Sequence, residues 1–260
     1  MTNSIINANQ DSLDFLWFSY FNITQKEAAS NTETALNKSI QRAYRDVCRT
    51  FHYTFSSGNL ENLKKKDKDK YEEYLGWKEK FREDISTYIT RQFGKLKIQS
   101  QEDFDAWHSE TCDEIVLKAK EYSSPDKQLF AAKNKKSESS EGNVFFYGQA
   151  QKWLNMTLKY MLIMGLWEKE LAEKKKYFHI PVDSFIMEAA GISVPCKDKN
   201  GWTWGEYSES KSKVWSQWEK EEYTEFQKAL REKLSKDNTY PMEWEGSAWI
   251  RVAMARESKV

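Results

Sequence analysis

A chain of 260 residues with 39% hydrophobic and 31% charged side chains has apolar material for one domain or two closely packed lobes, and its composition is neither that of a disordered nor of a membrane protein. Its 40 basic residues balance 40 acidic ones, so the basic excess of most nucleic-acid binders is missing, although a local basic face can coexist with an acidic back. Three scattered cysteines, Cys48, Cys112 and Cys196, lack C-x-x-C spacing and support neither a disulfide framework nor a thiolate metal site.

Along the chain, the N-terminal MTNSIINANQDSLDFLWFSYF has no basic segment before its apolar run, which argues against a signal peptide. No stretch of about eighteen apolar residues occurs, so no membrane span is expected, and reduced thiols fit a cytoplasmic protein. SNTETALNKSIQRAYRDVCRTFHYTF opens on capping residues and Glu33 and places Leu36, Ile40, Tyr44, Val47 and Phe51 on one stripe, which predicts a helix ending near Ser56-Ser57-Gly58. Residues 59–93 continue the helical period through Tyr71, Tyr74, Trp77 or Leu75, Phe81, Ile85, Tyr88 and Ile89, and the KKKDKDK run with its alternating signs reads as a solvated helix start. Ser100 caps a further helix with Phe104, Trp107, Ile115 and Val116 inward. The three histidines, His52, His108 and His179, are not paired at ligand spacing, so no metal and no cofactor is expected. Periodicity then fades, and the small polar residues of 133–143 predict a mobile loop between two helical lobes of about 1–122 and 144–260.

Beyond the loop, NVFFYGQAQKWLNMTLKYMLIMG predicts a helix from about Gln149 to Gln151 onward, with Leu154, Leu158, Met161 and Leu162 as its buried stripe. Lys152 then lies in the first turn, where aligned backbone dipoles disfavour a cation. HIPVDSFIMEAAG follows as an extended stretch whose Asp183 caps a short helix through Ala190, stopped by Gly191. PCKDKNGWTWGEYSES reads as a Gly-bearing loop, and two helices complete the chain, one carrying Trp215, Trp218, Phe226, Leu230 and Leu234, the other within PMEWEGSAWIRVAMARE. Little two-residue alternation appears, so the fold class expected is all-α or mostly α.

A glycine turn leading into a helix with an early lysine, followed by Pro-Val-Asp at a second helix start, resembles the helix-hairpin-helix DNA glycosylases. The separation of Lys152 from Asp183 is most similar to the archaeal 8-oxoguanine glycosylase branch. Gly148 matches a hairpin glycine four positions before the lysine, while Ala150 stands where a second glycine is usual. The resemblance implies two helical lobes around a cleft, and a monomer that excises a modified or damaged base from DNA. Lys152 would be the nucleophile, with or without lyase activity, and Asp183 would assist it. It further implies that Gly148, Gln149, Ala150, Gln151 and Lys159, or alternatively Lys211 and Lys213 in place of Lys159, contact the DNA backbone, with His179, Trp202, Trp204 and Trp249 near the base.

The chemistry agrees with that assignment of roles. A lysine of ordinary pKa, about 10.4, is neutral in only roughly one molecule in a few thousand at pH 7, and only the neutral amine attacks a sugar carbon. Burial and a helix N-terminus disfavour the ammonium, whereas a nearby carboxylate favours it, so the sign of the balance is open at this level. Two other function classes share these features: a non-catalytic nucleic-acid-binding protein, and a helical protein-interaction domain.

Overall fold

Capping residues set the helix boundaries of this chain. The structure, a computed structural model, describes residues 10–124, 126–130, 145–166, 173–199 and 201–258. Among these, ten α-helices and one two-stranded sheet make up most of the regular structure, so the fold is mostly α. Helix α1 spans Gln10–Phe21, and α2 (Gln25–Ser30) opens on a capping box in which Thr24 and Glu27 satisfy each other's backbone amides. Asn31 caps α3 (Thr32–Val47) by accepting from the Thr34 amide, and Leu36, Ile40, Tyr44 and Val47 are buried on one face.

Helix α3 stops well short of the expected end. A 3₁₀ turn at Cys48–Thr50 leads into extended backbone, where the Thr54 amide donates to the Leu129 carbonyl and Tyr53 bridges to Phe130. The β-branched and aromatic residues from Thr50 to Phe55 suit that form, and Phe51 remains buried. The helical stretch read across 59–93 is two helices, α4 (Ser57–Lys66) and α5 (Lys68–Phe93), divided at Asp67, whose side chain accepts from the Lys70 amide and starts the second.

Helix α6 (Gln101–Glu121) begins at the Ser100–Asp103 capping box, and α7 covers Tyr147–Ile163. Residues 122–146 separate these two, so no short glycine hairpin joins them. The polar loop expected at 133–143 lies outside the described residues. Helix α8 (Ser184–Ala190) has the expected Asp183 cap and ends at Gly191, whose φ of 54° is left-handed. Residues 195–210, read as a loop, instead hold most of an antiparallel hairpin of β1 (Val194–Asp198) and β2 (Gly201–Gly205), with Cys196 opposite Thr203. Helix α9 (Lys220–Ser235) starts later than its Trp-rich approach suggested, because Trp215–Gln217 form a 3₁₀ turn, and α10 (Pro241–Glu257) carries proline in its first turn.

Helix α7 is the centre of the molecule. Every residue from Tyr147 to Leu158 is buried, so it is enclosed on all sides rather than amphipathic. It packs chiefly on α3, with α6, α9 and the 215–217 turn around the remaining faces. The Trp153 indole donates to the Ile40 carbonyl at 3.1 Å and its ring lies among Tyr44, Phe51 and Phe81. The main core draws buried residues from Phe21 to Leu234.

Candidate active site

Lys152 and Asp183, 31 positions apart in the chain, meet in the fold: Lys152 Nζ donates to Asp183 Oδ2 at 2.8 Å. Lys152 is 7% exposed, and its ammonium stands 5.6 Å from the centre of the Trp215 ring. The Asp183 carboxylate is saturated with donors. Its Oδ1 accepts from the Ile186 amide at 3.0 Å as the N-cap of α8, while Oδ2 also accepts from the Trp249 indole of α10 at 3.2 Å. Burial opposes ionisation of this carboxyl, but the Lys152 charge and these hydrogen bonds outweigh it and hold it below its ordinary range. The pair therefore rests as an ion pair with the carboxylate negative.

The extended stretch before Asp183 has no strand beside it among the described residues, and side-chain amides take that role. Gln151 accepts from the Val182 amide and donates to the Val182 carbonyl, both at 3.3 Å. Two residues earlier, the Ile180 carbonyl accepts from Asn155 at 3.1 Å and Gln227 at 2.8 Å. Gln151 and Asn155, one turn apart on α7, are joined at 3.0 Å, so the helix bearing the lysine also fixes the backbone bearing the aspartate.

Gln151→Leu tests that linkage. Leucine fills similar space but strands the Val182 amide and carbonyl away from water. Each orphaned group costs about 1–3 kcal/mol, so the variant should lose about 2–4 kcal/mol, measured as a lower urea midpoint. An unchanged midpoint would show that other groups hold Val182.

The polar network continues outward from Asn155. His108 Nε2 lies 2.9 Å from Asn155 Oδ1, and the Asn155 amide donates to the Tyr223 hydroxyl at 2.8 Å. Tyr223 Oη is 2.9 Å from His179 Nδ1, and His179 Nε2 is 2.7 Å from Asp105, which Arg231 also pairs at 3.0 Å. Burial pushes both His108 and His179 below the ordinary imidazole value, and for His179 it outweighs the pull of Asp105. Burial also pushes Asp105 up, yet hydrogen bonds from His179 and Gln101, together with Arg231, carry its carboxyl down to about 2.

Both depressed imidazoles and the depressed Asp183 carboxyl take up protons more readily in the unfolded chain. Their contribution is complete above the unfolded values and is lost as pH falls. The expected result is a urea midpoint that declines first below about pH 6.5, from the histidines, and again below about pH 4, from Asp183. A midpoint flat from pH 7 to 5 would contradict the buried neutral histidines.

The remaining sequence-derived site residues divide clearly. Gly148, Gln149, Ala150 and Gln151 do not offer a free cradle for a DNA phosphate. The Gly148 amide donates to the Trp218 carbonyl at 2.9 Å, and the Gln149 and Ala150 amides donate to the Phe146 carbonyl. Gln149 caps the helix through the Phe146 amide and reaches the Thr50 carbonyl at 2.6 Å. A Cβ on Gly148 would fall inside the Trp215 carbonyl, so glycine is needed here for the approach of protein backbone rather than of DNA. Lys159 is also engaged, with the buried Glu245 of α10 at 2.6 Å, and is not a free phosphate contact.

His179 belongs to the interior network rather than to an open pocket. Trp249 is at the site, but as a donor to Asp183 whose ring stacks on Phe185 at 4.7 Å. Trp202 and Trp204 stand exposed on β2. Trp215, which sequence reading placed on the stripe of a helix, stands instead in a 3₁₀ turn with its ring beside the lysine. Four clefts lined by described residues, near Tyr74, Leu96, Trp204 and Tyr88, include neither Lys152 nor Asp183. No helix among the described residues is long and apolar enough to cross a membrane. Compared with protein-family models, with curated proteins and with solved structures, the chain has no match.

Proposed function

We propose that this protein is a DNA glycosylase that removes a modified or damaged base, with Lys152 as nucleophile and Asp183 as its assistant, on a helical fold of the glycosylase kind. The observation that carries the reading is the 2.8 Å contact between a lysine amine and a helix-capping carboxylate, under two indoles, at the junction of α7, α8 and α10. A target nucleotide would have to leave the base stack to bring its sugar to this pair.

The resting ammonium must first give up a proton, and Asp183 Oδ2 is in place to receive it. The freed nitrogen lone pair then forms a bond to C1′ while the bond from C1′ to the base breaks and its electron pair leaves with the base. Because Asp183 is held anionic at rest, that proton shift is uphill and forms part of the barrier. By passing that proton to the departing base, Asp183 is ionised again and stabilises positive charge on the sugar. Ring opening, with a proton moving from the Lys152 nitrogen to O4′ as the bond from C1′ to O4′ breaks, would yield an iminium on Lys152, from which elimination could also cut the strand.

Borohydride added during reaction with oligonucleotides carrying a panel of modified bases tests the reading. A covalent protein–DNA adduct mapped to Lys152 supports it. Base release without an adduct, or no release from any substrate, leaves the pair a structural bridge between α7 and α8.

A further inference from the structure

Outside the lysine–aspartate pair, the β1–β2 hairpin presents an unusual surface. Trp202 and Trp204 are 55% and 42% exposed, large fractions for indoles, and lie two apart on one strand, hence on one face. Their cross-strand partners are Lys197 and Pro195. A third chain segment extends the sheet: the Lys197 amide donates to the Lys211 carbonyl at 2.8 Å and the Lys213 amide to the Pro195 carbonyl at 2.7 Å. Cys196 bridges to Ser212, their side chains 3.4 Å apart on the opposite face, so Lys211 and Lys213 share the tryptophan face. The Lys213 ammonium lies 5.7 Å from the Trp202 ring centre, which confirms that placement.

We propose that this face is a platform for a single strand of nucleic acid, with unpaired bases stacking on Trp202 and Trp204 and phosphates on Lys197 and Lys211. Charge and shape favour this occupant over an apolar protein partner. Across the sheet Trp202 is followed by Lys197 and Lys211, and Trp204 by Pro195 and Lys213, so a pair of indoles stands beside a group of lysines, which suits a ligand that carries both flat rings and negative charge. The acids fix its course. Glu222 neutralises Lys213 at 2.6 Å, and Glu221 and Glu225 line the cleft beside Trp204, so the phosphates of an anionic strand are repelled from the α9 side and follow Lys197 and Lys211, while its uncharged bases reach Trp202 and Trp204. Past Lys213 the segment continues through the exposed Val214 to Trp215, the ring beside the Lys152 ammonium. If the glycosylase reading holds, the platform carries unpaired strand next to the reacting pair; strand binding itself does not depend on that reading.

The test is anisotropy with a labelled oligo(dT) of about fifteen nucleotides, and with oligo(U), titrated with the full chain at low salt. Binding is expected, with W202A/W204A weaker by roughly fivefold or more for each indole removed. Lys197→Ala/Lys211→Ala should reduce the slope of log K against log salt by about 0.7 per lysine. Leu117→Ala, an exposed apolar change on α6, should bind as the parent does. Equal binding by the double tryptophan variant overturns the platform. So does absence of oligonucleotide binding, including the case where only anionic lipid vesicles are bound. Borohydride trapping scored on the same samples separates the two proposals, because indole-dependent binding without any adduct refutes the chemistry and leaves the platform standing.

Discussion

Lys152→Gln is expected to leave the protein folded while reducing borohydride-trapped adduct by roughly a thousandfold or more, the scale of loss when a nucleophile is removed. The fold should survive because Asp183 keeps the Ile186 amide and the Trp249 indole as donors, and glutamine can restore a third. The converse change is not symmetrical. Asp183→Asn still caps α8, but among the described residues the buried ammonium of Lys152 keeps the Trp215 ring and loses its carboxylate. Removing one member of a buried ion pair costs about 3–5 kcal/mol, so Asp183→Asn should lower both activity and the urea midpoint. Comparing midpoint and adduct yield for the two variants separates a catalytic pair from a structural one. Full adduct yield from Lys152→Gln would remove the nucleophile.

Gly148→Ala should be the most damaging glycine-to-alanine change among the described residues. Its Cβ would meet the Trp215 carbonyl oxygen far inside contact distance and approach the Trp215 carbon at 3.0 Å and the Trp218 amide at 3.2 Å. These are backbone atoms and cannot rotate away. A loss of at least about 3 kcal/mol is expected, a large part of the roughly 5–15 kcal/mol that holds most domains folded. Displacing the 215–218 turn also moves the Trp215 ring away from Lys152, so adduct formation should fall even where the variant remains folded. Gly76→Ala is the matched control. Gly76 sits within α5 with nothing within 4 Å of an added Cβ, and alanine there should raise stability by about 0.5–1 kcal/mol. Urea unfolding of the two side by side gives midpoint shifts of opposite sign, and a Gly148→Ala midpoint equal to the parent's would contradict the close approach.

Local chemistry in the sequence was sufficient for much of the helical framework. Asn31, Ser100 and Asp183 cap helices through their side chains, Gly191 ends one in a left-handed turn, and the stripe on α3 is buried. Local pattern marked Lys152 as a first-turn lysine and Asp183 as a helix-capping acid, but that the two meet was implied only by the resemblance to the helix-hairpin-helix glycosylases. What pattern could not show was enclosure. The leucine and methionine stripe of α7 suggests one buried face, yet Gln149, Gln151, Lys152, Asn155 and Thr157 are buried too, each with a partner supplied from elsewhere in the chain or along the helix. Composition assigns such residues to the surface, and only the distant partners reverse that. The same blindness placed Gln149 and Gln151 against DNA. The hairpin was missed because strands of five residues leave little room for alternation, although Gly201 with its φ of 126° marks the turn.

The central position of α7 also sets the order in which the chain can mature during synthesis. Leu36, Ile40, Ala43 and Val47 are made early, but the helix that covers α3 and whose Trp153 reaches the Ile40 carbonyl emerges more than a hundred residues later. Until then a nascent chain on the ribosome carries an apolar ridge that α1, α2 and α5 cover only in part, a state prone to aggregate or to engage chaperones. Fragments ending before Tyr147 would be left in that condition permanently.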